Sequence, residues 1–270
     1  VTRRRWIAAA TGSLLPSVAL ALKPGYQECA YQRADVQWGD GLGLPADYSA
    51  IDYLMEDSER FHRFRFVHRL QVVACRSWAD FHEFVPFIEG ELVGGLTLEY
   101  GTTIYITPRV EEMHYHTSEF LRHELSHALL LQNSSIASRT QFKRVPWLYE
   151  GVAVLAGDQR AYGTAADFAR RAASEALAPL FDPAAFERPG FDLRMAYRAW
   201  RYFLEDLIAE RGRDRFQVLL ARFMQRPLAI DSTFANVYGT PLPAAIAIFE
   251  NKVRLGEWTQ GKVEKLSNKK

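Results

Sequence analysis

The stretch His123-Glu124-Leu125-Ser126-His127 constrains this chain more than any other. Histidines four residues apart lie one above the other on a helix, so a single ion can take a nitrogen from each. Glu124 follows the first of them and can reach the same side of that ion, where a bound water would sit in metal-assisted hydrolysis. The flanks favour a helix. Leu121, Leu125, Ala128 and Leu129 recur at helical spacing and form a core face separate from the histidines. Thr117 or Ser118 can cap the start, with Glu119 in the first turn. A plainer alternative, two satisfied polar histidines near a core, stays open on this string alone.

A second stretch bears on that choice. Val145-Pro146-Trp147-Leu148-Tyr149-Glu150-Gly151-Val152-Ala153 reads as a helix opened by Pro146 in its first turn. Glu150 has apolar neighbours on both sides, an odd setting for a carboxylate unless it is paired or binds metal. Gly151 and Ala153 are small enough to let this helix lie close against the first. The ordinary alternative is an exposed glutamate on an amphipathic helix.

Together, His-Glu-Leu-Ser-His-Ala-Leu and Pro-Trp-Leu-Tyr-Glu-Gly-Val-Ala resemble the gluzincin metallopeptidases, most closely the bacterial peptidase MA-like families of the thermolysin clan. The resemblance extends over residues 95 to 255. It implies that His123, His127 and Glu150 bind Zn²⁺ and that Glu124 is the general base. Several gluzincins carry an Asp four residues after the ligand glutamate, supporting a ligand histidine. Here that position is Val154, so such support must come from elsewhere.

Apolar content of 48% with 24% charged residues describes an ordinary globular chain, and a formal charge of +1 gives no sign of nucleic-acid binding. Thr2-Arg3-Arg4-Arg5-Trp6-Ile7 begins a cationic segment, Ala8 to Ala21 follows as a weakly apolar stretch, and Ala19-Leu20-Ala21 is a small-x-small cleavage site. The arginines followed by Trp6 and Ile7 resemble a twin-arginine export signal. The stretch is short and broken by Pro16, whereas a membrane span needs about 20 apolar residues. The expectation is a cleaved signal over residues 1 to 21 and an exported bacterial protein, periplasmic or secreted, with no membrane span in the mature chain. In that setting Cys29 and Cys75 can form one disulfide; two unpaired thiols are the alternative.

Residues 22 to 46, rich in Gly and Pro, read as an irregular lead-in. Helices are expected over Ile51 to Phe64 and Trp78 to Phe87, and a strand over Phe66 to Ala74. Gly94 to Pro108 reads as two strands about a turn at Tyr100-Gly101, with Pro108 suited to the end of an edge strand. In gluzincins an edge strand before the active-site helix pairs with extended peptide, and Thr103 to Thr107 is the candidate for that role. His114 and His116 place four of the seven histidines between positions 114 and 127, and one of this pair could add a ligand or a transition-state donor. His62, His68 and His82 take structural readings.

After Glu150 the chain reads as all-helical: Ala165 to Leu177 capped by Thr164, Leu193 to Glu210 stopped by Gly212, Phe216 to Met224, Asp231 to Tyr238, and Pro243 to Val253. Tyr197 resembles the tyrosine at a helix start that follows the ligand glutamate in peptidase MA-like proteins. A phenol there could donate to the oxyanion formed when water attacks a carbonyl; plain packing is the equal alternative, and Tyr202 is the rival donor.

The fold expected is α+β and zincin-like: a small mixed N-terminal sheet with helices, then a helical C-terminal half, the active site in the cleft between. Its parts are the export signal 1–21, an α/β part 22–110, a zinc-binding helical part 111–258 and a basic tail 259–270. The function expected is zinc-dependent hydrolysis of peptide bonds in a peptide or protein substrate bound in extended form. The alternatives are a zincin-fold scaffold with little catalysis and a zinc amidase acting on cell-wall material.

Overall fold

A computed structural model describes residues 22–40, 46–88, 94–98, 100–113, 115–159, 162–186 and 188–258. The expected signal, His114 and the basic tail lie outside the described residues. The chain divides into two compact units, Val1–Asn133 and Ser134–Lys270. Helices and one five-stranded sheet make it a member of the α+β class.

The strands belong to the first unit: β1 (Tyr26–Ala30), β2 (Ala34–Gly39), β3 (Leu70–Ala74), β4 (Gly95–Thr97) and β5 (Thr103–Ile106). Their order is β1-β2-β3-β5-β4, with β2, β3 and β5 parallel and both outer strands antiparallel. Parallel neighbours need a crossover. Between β2 and β3 it is formed by α1 (Ala46–Ser49) and α2 (Ile51–His62), and α3 (Trp78–Phe84) falls between β3 and β4. After β5 come α4 (Arg109–Glu112) and α5 (Thr117–Gln132).

Side chains alternate across the sheet. Val36, Val72 and Ile104 are register partners and fully buried on one face. Val73 and Tyr105 take the other face, in a core cluster with Tyr26, Cys75, Phe81 and Val85. Both faces of β3 are therefore covered, which is why it reads as an apolar run rather than an alternating one. Helix α5 packs against β4, β5 and α2.

Four expectations change in this unit. Residues 22 to 46 are not an irregular lead-in, since they contain the antiparallel pair β1–β2. The exposed Gln27 and Glu28 and the polar Asp35 and Gln37 thin out the apolar alternation there. Thr103 to Thr107 is not an edge strand: β5 is paired on both sides, and the edge next to it is β4. The strand expected from Phe66 begins only at Leu70, because the Val67 and His68 amides donate to Gln132 Oε1, each at 2.8 Å, rather than to a strand. Cys29 and Cys75 are free thiols. Cys29 pairs with Val36 and Val36 with Val72, so Cys75 lies two strands across and three residues along. That separation exceeds about 10 Å, beyond the reach of a disulfide. Burial pushes the Cys75 thiol up to about 12.

The second unit is helical among its described residues: α6 (Ile136–Arg139), α7 (Pro146–Ala156), α8 (Ala165–Ala172), α9 (Pro183–Phe186), α10 (Leu193–Arg211), α11 (Arg213–Gln225), α12 (Ile230–Tyr238) and α13 (Leu242–Arg254). Thr164 caps α8 in a reciprocal box with Asp167, and α8 ends at Ala172 rather than Leu177. Gly212, at φ +84°, ends α10. Gly151 lies against α10. A Cβ there would stand 2.9 Å from the Trp200 Cβ. Among the described residues no helix is long and apolar enough to cross a membrane.

Candidate metal centre

Helix α5 is buried on nearly every side from Phe120 to Gln132, not along a single stripe. Its first turn has no capping side chain of its own. His116, rather than Thr117 or Ser118, occupies the cap position, and the Ser118 amide donates to Asp47 Oδ2 at 2.9 Å. An acceptor from α1 thus satisfies one of the donors that a helix start leaves open, and its charge suits that end of the helix dipole. The far end is tied as well. Gln132 Nε2 donates to the Gly101 carbonyl at 2.7 Å while its Oε1 accepts from Val67 and His68.

Held in this way, α5 brings His123 and His127 together. Their rings stand nearly perpendicular at 84°, centroids 4.6 Å apart, and the two Nε2 atoms approach to 3.0 Å. Both residues are only 6% exposed. Glu124, 4% exposed, leans toward β4, where Thr97 Oγ1 donates to its Oε2 at 2.6 Å. Gly95, on the same face of β4 as Thr97, makes room for it. A Cβ on Gly95 would come within 2.8 Å of Glu124 Cγ and Oε1.

On α7, Pro146 takes the first helical position as expected, and Glu150 is half-buried. Tyr197 on α10 donates its phenolic proton to Glu150 Oε2 at 2.9 Å. The tyrosine ring is fixed in turn, edge-on to Tyr162 at 5.0 Å and 5.6 Å from Trp200. Tyr202, the rival phenol, is 3% exposed and packs on Phe168 and Trp258. Val154 is buried.

His123, His127 and Glu150 each offer a ligand atom within 4.8 Å of the others, and the three could hold a metal ion. Two imidazoles and a carboxylate suit zinc and also its neighbours among the first-row divalent ions. The two Nε2 atoms, 3.0 Å apart, are also within hydrogen-bond distance of each other. His116, exposed at the cap of α5, does not join the group. His62 packs edge-on to Phe61, and His82 lies against Trp78 and Phe81.

The sequence did not point to Thr97, Gly95 or Asp47. Each acts on α5 from far along the chain, and no local spacing marks it. The two adjacent glycines at 94 and 95 were the only hint of a close approach. No family model matches this chain, and no curated protein matches it either.

Proposed function

We propose that this protein is a zinc-dependent metallopeptidase. The observation that carries the reading is the convergence of His123, His127 and Glu150 within 4.8 Å, with Glu124 adjoining the first of them in the chain. When bound, Zn²⁺ supplies Lewis acidity, bringing the pKa of a coordinated water toward neutrality and polarising a carbonyl. Glu124 takes the proton of the attacking water and later passes it to the leaving amine. Thr97 keeps the Glu124 carboxylate in one orientation while it does so. The side of β4 away from β5 has no strand partner among the described residues, and Gly95 and Thr97 face Glu124. We place an extended peptide substrate along that edge, where backbone hydrogen bonds give affinity without strict sequence selection.

The test is metal analysis of the purified protein together with cleavage of casein and of a peptide library, with and without chelator. One zinc per chain and chelator-sensitive cleavage are expected. Glu124→Gln should keep the zinc and lose about 10²–10⁴-fold in kcat, the range of a general base. Undiminished cleavage in that variant would remove the assigned base. Zinc binding without cleavage of any peptide would leave a scaffold, and products from peptidoglycan alone would make it an amidase.

A further inference from the structure

The Tyr197 phenol reaches a proposed ligand, and its chemistry limits what it can do there. A hydroxyl has a single proton to donate. In this structure that proton is given to Glu150 Oε2 at 2.9 Å, so it is committed to a carboxylate and not to a developing oxyanion. Resting on the zinc reading above, we infer that Tyr197 is a positioning residue that holds Glu150 as a metal ligand. One carboxylate oxygen is engaged by the phenol, and the side chain keeps a single rotamer.

The rest of α10 is built to the same end. Tyr197, Arg201 and Glu205 recur every four residues and so share one face of the helix. Arg201, 7% exposed, pairs through Nε with Glu205 Oε1 at 2.9 Å. Its Nη1 donates to the Gln159 carbonyl at 2.9 Å and its Nη2 to Asp158 Oδ1 at 2.5 Å. Asp158 and Gln159 follow the Gly157 cap of α7, and Asp158 is one of two non-glycine residues with positive φ among those described. The same stripe of α10 therefore grips α7 near its middle, through Glu150, and just past its end. Gly151 lets the two helices come close enough for both contacts. The tyrosine ring has little freedom between Tyr162 and Trp200. A buried ion pair next to a close helix contact fixes the rotation of α7 about its axis, and with it the direction of Glu150.

Partners of metal ligands typically contribute 10- to 100-fold in metal affinity. The test is Tyr197→Phe, which removes one oxygen and leaves the ring packing in place. Zinc affinity is measured by chelator competition, alongside the visible spectrum of the Co²⁺-loaded protein and the thermal unfolding of the metal-free one. Expected are a zinc affinity at least 10-fold weaker and an altered Co²⁺ spectrum, with metal-free unfolding changed by no more than the loss of one hydrogen bond. In a Glu150→Ala background the same substitution should have no further effect on zinc. Zinc affinity within 2-fold of wild type would overturn the inference, whatever happens to kcat. An equal loss in the Glu150→Ala background would also overturn it, because the effect would then not pass through that carboxylate. Failure of the wild-type protein to bind zinc at all would instead sink the metal reading, and it shows before any variant is made.

Discussion

Each proposed working carboxylate is held by a hydroxyl from another element, Glu124 by Thr97 and Glu150 by Tyr197. The contact between His123 and His127 is legible in the sequence, because helical pitch alone sets it. The hydroxyl partners lie 27 and 47 residues away and could not be read from local pattern. A third carboxylate, outside the proposed site, takes two of its three partners from more than fifty residues away and one from the preceding turn. Asp80 is 6% exposed and accepts from Lys23, Arg76 and the Tyr26 phenol. Burial alone would raise its pKa, but the hydrogen bonds from Lys23, Arg76 and Tyr26 outweigh it and hold the group down to about 2. A depressed carboxyl contributes stability that is present above its unfolded value and lost as pH falls through the folded one. Asp80 should therefore steepen the acid limb of unfolding between about pH 4 and pH 2. Asp80→Asn should flatten that limb and cost about 1–3 kcal/mol at neutral pH, where three donors lose a charged acceptor. Melting curves from pH 2 to 7 read both effects.

Among the elements, those with strong periodicity were legible: α5, α7, α10 and α11 fall within a few residues of expectation. What failed was pairing. β1 and β2 are half polar and depend on β3, some thirty residues onward in the chain, for their place in the sheet. Strand order is a tertiary fact, and local pattern in Thr103–Thr107 does not reveal whether that strand lies at the edge. β5 has two partners, and three-residue β4 is the one left at the rim. Smallness at Gly151 announced a close approach without naming its partner, which is Trp200 on α10. The consequence can be measured. In Gly151→Ala the new Cβ would stand 2.9 Å from the Trp200 Cβ and 3.1 Å from Leu204 Cδ1, and the Cβ of the fully buried Trp200 cannot yield as the end of a flexible side chain can. Overpacking of this kind costs about 1–3 kcal/mol, more than the helix propensity gained from alanine returns. Denaturant unfolding should show a lower midpoint. A shift of α7 away from α10 should also lengthen the Tyr197–Glu150 contact, so the variant should bind zinc more weakly. Gain of stability with unchanged zinc affinity would contradict the close packing.

For the molecule as a whole, the proposed zinc site ties metal to stability. The three proposed ligands span positions 123 to 150, and an unfolded chain does not keep a group so separated in sequence together. Zinc should then bind the folded protein and scarcely the unfolded one, stabilising it by RT ln(1 + [Zn²⁺]/Kd), about 2.7 kcal/mol at a hundred times Kd. For a chain of this size each kcal/mol moves Tm by about 2–4 °C, so loading should raise Tm by about 5–10 °C. A chain with two compact units need not melt in one step. The informative quantity is therefore the part of the shift that Glu150→Ala removes. Scanning calorimetry of wild type and variant, each with zinc and with chelator, isolates it. A wild-type shift that survives in Glu150→Ala would mean that the ion sits on the two histidines alone or elsewhere, and the carboxylate would lose its place as a ligand. A shift abolished by Glu150→Ala and by His123→Ala alike is what joint ligation requires.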